Sequence, residues 1–105
     1  AVSDSTAATR LAPGQKLNMW GHDVVVDNDC VRLASNNAFA GSTITLLDAF
    51  RNIFEDFGPA AAIKACCLNP RKALKMTEPP RVYIHFDKDL EILAIYKRNS
   101  PWEAI

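Results

Sequence analysis

The chain has 105 residues, a mass of 11.6 kDa and a formal net charge of zero, with twelve Lys and Arg against twelve Asp and Glu. That length suits one domain with a real core, but falls short of the roughly 200 residues that a complete (β/α)8 barrel needs. Hydrophobic residues at 49% and charged residues at 23% exclude intrinsic disorder, the scattered basic residues argue against a nucleic-acid binder, and no apolar run approaches the ~18 residues of a membrane span.

Ala1-Val2-Ser3-Asp4-Ser5-Thr6 reads as the end of a strand running into a polar loop. Residues 7–16 are small, polar and turn-rich, with Pro13-Gly14 as a turn signal. Leu17 to Trp20 is a short strand candidate. Val24-Val25-Val26 and Cys30-Val31-Arg32-Leu33 flank Asp27-Asn28-Asp29, whose residues tolerate the left-handed backbone of a hairpin turn. Ser35-Asn36-Asn37 is a loop, and Phe39-Ala40-Gly41-Ser42 is a loop-to-helix junction. The three-and-four spacing of Leu46, Leu47, Phe50, Ile53, Phe54 and Phe57 predicts a helix from Thr43 to Phe57. Ser42 is its expected N-cap, and Gly58 ends it. A second helix starts at Pro59 and runs to about Leu68, where Asn69-Pro70 breaks it. Pro70 to Met76 adds one or two turns, and Pro79-Pro80 is a rigid separator. Val82, Ile84 and Phe86 alternate, Asp87-Lys88-Asp89 turns, and Leu90 to Tyr96 returns. The apolar residues of that return strand lie on both faces, which predicts cover on both sides.

Few residues suggest chemistry. Asp4, at the expected C-terminal end of a strand, suits a general base held near a water, although locally it reads as an ordinary loop or cap aspartate. Gly41 permits close backbone approach, and the residues ahead of the main helix suit a substrate phosphate or carbonyl; an ordinary capped junction is the plainer reading. His22-Asp23 resembles an oriented base but reads as an exposed turn histidine, and His85 belongs on the second face of its strand. Cys30, Cys66 and Cys67 form no disulfide framework and fit a reducing compartment; the adjacent pair reads as buried, inert thiols. No CxxC or HxH spacing offers a self-contained zinc site. Trp20 and Trp102 read as packing residues rather than interface anchors. Lys64, Arg71, Lys72 and Lys75 read as a solvated helix face. No secretory signal pattern is present, so a cytoplasmic location is expected.

The order of these segments resembles the C-terminal part of the N-acetylglucosamine-6-phosphate deacetylases of the amidohydrolase superfamily. Ala1-Val2-Ser3-Asp4-Ser5-Thr6 is similar to the family's "VTDAT" end of the eighth barrel strand. A hairpin excursion matches Val24 to Leu33. Phe39-Ala40-Gly41-Ser42, followed by Thr43-Ile44-Thr45-Leu46-Leu47, resembles "LSGS" and its apolar helix. Arg51-Asn52-Ile53-Phe54-Glu55 is similar to "VRNLVE", and Cys67 to Leu74 resembles "ATLYPARAIG".

The resemblance implies an α/β fold, the last strand and following helices of a (β/α)8 barrel over residues 1–76. Residues 77–105 would give a β-hairpin of a small β-sandwich. A chain standing alone would instead be α+β. The implied reaction is hydrolysis of the acetamide of N-acetylglucosamine 6-phosphate to glucosamine 6-phosphate and acetate. A divalent metal, expected to be zinc, would activate the water in the complete enzyme. By the motif match Asp4 is the proton-transferring aspartate, and the backbone of Phe39, Ala40 and Gly41 contacts substrate. The family's metal ligands, a glutamate and two histidines, lie upstream of this segment, so no metal is expected on this chain alone and it is expected to be inactive by itself. Its expected partners are the sugar-phosphate substrate and either the remainder of the barrel or another copy. The competing expectation is a non-catalytic α+β module serving in interaction or oligomerisation.

Overall fold

Alternation of apolar and polar residues turns one face of a four-stranded antiparallel sheet inward. The strands are β1 (Lys16–Met19), β2 (His22–Val26), β3 (Cys30–Leu33) and β4 (Phe39–Ser42), in the order β1-β2-β3-β4. Leu17 faces Val24 and Val26 faces Val31 in register. Met19, Val24, Val26 and Val31 are buried with Ala8, and Leu17, Leu33 and Ala40 pack against them. Each fully buried valine contributes about 1.5–3 kcal/mol. The β1–β2 turn has positive φ at both Trp20 and Gly21, the pattern that matches strand twist in a two-residue hairpin. Trp20 is therefore held out in solvent at the turn tip, against the expectation that it packs.

This computed structural model describes residues 1–98 and the backbone of Trp102–Ala104. Two units divide the chain, Ala1–Pro70 and Arg71–Ile105. The architecture is α+β. Among the described residues, the parallel strand pairing expected of a barrel end reduces to one bridge between Ser5 and Ser42.

In the first unit, three expectations need correction. Phe39–Ser42 is strand β4 and not a loop, because β3 offers it a pairing edge despite the weak strand propensity of Ala-Gly-Ser. Helix α1 is Leu46–Phe57, capped by Thr45 rather than Ser42. The Thr45 hydroxyl accepts from the Asp48 N–H at 3.3 Å, and the Asp48 carboxylate accepts from the Thr45 N–H and hydroxyl, both at 2.7 Å. This reciprocal box satisfies donors that the first turn would leave orphaned. The helix also does not break at Asn69-Pro70. Helix α2 (Pro59–Ile63) passes through a π-helical turn (Lys64–Leu68) into α3 (Asn69–Ala73). Pro70 has no N–H and its ring clashes with the carbonyl four residues back. Widening the preceding turn, where the Asn69 N–H reaches the Lys64 carbonyl, carries the helix past it.

The capping box sets a pH dependence. Hydrogen bonds from the Thr45 backbone, then from its side chain, hold the Asp48 carboxyl below its ordinary range. A depressed folded pKa gives stability that is present above the unfolded value of about 3.9 and is lost as pH falls through the folded one. Thr45→Ala therefore lowers stability by about 1 kcal/mol at pH 7. In urea titrations that deficit shrinks below about pH 4, as Asp48 protonates in both proteins.

The apolar stripe of α1 is only partly covered. Leu46 and Phe57 are exposed, and only Ala49 is buried. Cys66 is half-buried and Cys67 is exposed, so neither is the buried thiol expected. Burial still pushes the Cys66 thiol up.

The second unit is an antiparallel sheet of β5 (Val82–Phe86), β6 (Ile92–Arg98) and β7 (Trp102–Ala104), in that order. The Asp87 carboxylate caps the β5–β6 turn by accepting the Asp89 and Glu91 N–H groups at 2.8 and 2.9 Å. The return strand is not covered on both sides: its neighbours Ile92 and Leu93, which face opposite ways, are both exposed. Val82 and Ile84 of β5 are exposed too. The Trp102 side chain lies outside the described residues. Among the described residues no helix is long and apolar enough to cross a membrane.

Candidate active-site edge at Asp4 and Gly41

Strand β4 has β3 on one side and the N-terminal segment on the other. The Ser42 N–H donates to the Asp4 carbonyl at 2.9 Å, and the Thr6 N–H donates to the Ser42 carbonyl at 3.2 Å. The Thr6 hydroxyl reaches the same Ser42 carbonyl at 3.1 Å. The Ser42 hydroxyl donates to the Ser3 carbonyl, and the Ser5 hydroxyl to the Ile44 carbonyl. Two segments nearly forty residues apart in sequence are thus stitched together over a few residues.

That stitching brings together two residues singled out from the sequence. Gly41 has φ +119°, a conformation L side chains rarely adopt. A Cβ there would collide with the Thr6 Cγ2 methyl, lie 3.3 Å from the Asp4 carbonyl oxygen and lie 3.8 Å from Asp4 Oδ2. Gly41 is required by this approach as well as by its φ. Asp4 is exposed, and it too sits at positive φ, 51°. Left-handed backbone at a non-glycine residue holds strain that the neighbouring structure must sustain. Here four backbone and hydroxyl contacts to Ser42 sustain it. The result is an exposed carboxylate whose main chain is held against Gly41 and Ser42.

Ala40 turns towards the sheet core, while Phe39 projects outward. Sequence reasoning missed what holds Phe39. The Arg32 guanidinium lies 4.2 Å from its ring centroid. Arg32 Nε donates to Asp27 Oδ2 at 2.9 Å, and Nη1 donates to the Asn37 carbonyl at 3.1 Å. The Arg32 hydrogen bond draws the Asp27 carboxyl below its ordinary value, and Asp27 raises Arg32 in turn. The only sequence signal was an arginine in a hairpin facing a later Phe; their partnership depends on a register that a bulge in β4 sets.

A polar groove of about 380 Å³ lies nearby, lined by Arg10, Asn28, Asp29, Thr43, Asp48 and Asn52, with an Arg10–Asp48 ion pair of 3.2 Å. None of the predicted site residues lines it. The divalent metal implied by the resemblance does not fit this chain's own residues. Among those described, no three His, Cys, Asp or Glu side chains gather closely enough to hold a metal ion.

The whole chain matches the crystal structure of an N-acetylglucosamine-6-phosphate deacetylase from Pasteurella multocida, with a TM-score of 0.73 and 22% sequence identity. The fold is shared. The match covers 99% of this chain and 29% of that deacetylase, so the chain spans under a third of that protein's length. No family model matches the chain, and no curated protein matches it in sequence.

Proposed function

We propose that this chain is the closing segment of an amidohydrolase-type barrel and supplies the proton-transferring aspartate of an amino-sugar deacetylase. The observation that carries this reading is the meeting of Asp4 and Gly41 within a fold shared with a deacetylase over nearly the whole chain. The Asp4 carboxylate takes a proton from the attacking water as the new C–O bond forms at the acetamide carbonyl. It then delivers that proton to the nitrogen as the C–N bond breaks, releasing acetate and the free amine. The missing side chain at Gly41 lets the Asp4–Thr6 segment lie against β4, which sets where the Asp4 carboxylate stands. The substrate class proposed is N-acetylglucosamine 6-phosphate.

The partly uncovered apolar stripe of α1 and the exposed apolar residues of β5 and β6 support a segment completed by further chain. The native protein is therefore expected to have an intact mass several-fold above 11.6 kDa and to release acetate from N-acetylglucosamine 6-phosphate. The isolated chain, even with zinc added, is expected to release none. A native mass of 11.6 kDa without acetate release would overturn the proposal and leave the interaction module in its place.

A further inference from the structure

We propose that Phe39, backed by Arg32, is a preset aromatic shelf for the apolar face of the sugar ring, and that Arg32 is its positioning residue. The inference rests on the functional reading above, but it concerns side chains rather than the backbone contacts that the resemblance implies.

Phe39 is 72% exposed, so its ring is open to a ligand. An exposed phenylalanine ordinarily moves among rotamers. This one is covered on one face by a guanidinium that is itself tied at two points, to the Asp27 carboxylate and to the Asn37 carbonyl. Arg32 and Phe39 are cross-strand partners, so the pair is built into the sheet register. The ring's second face is left towards solvent.

That face has the chemistry a pyranose recognises. An aromatic face carries negative quadrupole charge, and the axial C–H bonds on one side of a sugar ring are weakly positive. Phe39 stands two residues before Gly41, about 7 Å along the strand. Gly41 in turn abuts Asp4, so a sugar held on the ring lies within one strand's reach of the carboxylate. Fixing the ring beforehand removes the cost of ordering it when substrate binds.

The test uses the complete protein, with N-acetylglucosamine 6-phosphate as the probe. Phe39→Leu should raise KM about tenfold and leave kcat within about twofold, because ring contact is equal in ground and transition states. Phe39→Trp keeps an aromatic face and should hold KM near the wild-type value. Arg32→Met should raise KM with an intact fold, and Arg32→Lys, which keeps charge but not the two-point fork, should fall between. Saturation-transfer NMR should show transfer from aromatic protons to the pyranose ring protons in the wild type and weaker transfer in Phe39→Leu. If the wild type turns over and Phe39→Leu leaves KM unchanged, the shelf is wrong and the functional reading stands. If the wild type does not turn over, the functional reading fails and the shelf falls with it.

Discussion

Replacing Asp4 by Asn in the complete protein lowers kcat by about 10²–10⁴-fold, the usual contribution of a positioned proton-transfer group. Asn keeps the size of the side chain and tolerates the left-handed backbone at φ 51°. The Ser42 N–H still has the Asp4 carbonyl to donate to, because that bond is main-chain. Folding is therefore preserved, and what is lost is the capacity to accept a proton. KM should change little, since in the proposed mechanism the carboxylate acts on the reacting bond and not on the sugar. Steady-state kinetics of the two proteins make the comparison, with circular dichroism to confirm the fold. A kcat near wild type removes Asp4 from the mechanism.

Gly41→Ala is the second large effect. The new methyl meets the Thr6 Cγ2 methyl head-on and sits 3.3 Å from the Asp4 carbonyl oxygen, in a backbone conformation that disfavours any side chain. Overpacking and backbone strain together cost about 2–4 kcal/mol. Relief requires the N-terminal segment to move away from β4, which carries Asp4 with it, so kcat falls as well. Adding Thr6→Ser removes the obstructing methyl but keeps the hydroxyl that binds the Ser42 carbonyl. The double variant should regain part of the stability but not all of it, because the φ penalty remains. Denaturant titration of the four proteins of this cycle measures that coupling. Strict additivity would mean that the Thr6 contact is not the source of the strain.

The hairpin at Asp27-Asn28-Asp29 and the hairpin at the tail were legible because alternation and turn chemistry agree there. Gly41 and Asp4 were legible as separate points, from residue type alone; their meeting depends on a long-range bridge that no local pattern records. The start of α1 was misplaced because Ser42 and Thr45 are both good caps. The deciding signal was Asp48, three residues after Thr45 and able to complete the box. At Pro70 a sound local rule failed, since one widened turn removed the conflict on which the rule depends. The apolar runs of α1, β5 and β6 predict burial that the described residues do not supply, because periodicity records which face is apolar and not what covers it. Arg32 was invisible because its role is defined by what lies across the sheet.

The stitch between the N-terminal segment and Ser42 has a kinetic meaning. The β1–β4 meander closes through short turns, so its pairings form early and at small entropic cost. The Asp4–Ser42 and Thr6–Ser42 bonds close loops more than thirty residues long and rest on few contacts. By the entropy of loop closure they are expected to assemble after the sheet and to open before it. On that expectation the position of the Asp4 carboxylate depends on the stitch and not on the sheet, and loosening the stitch would displace it while the sheet beneath stays folded.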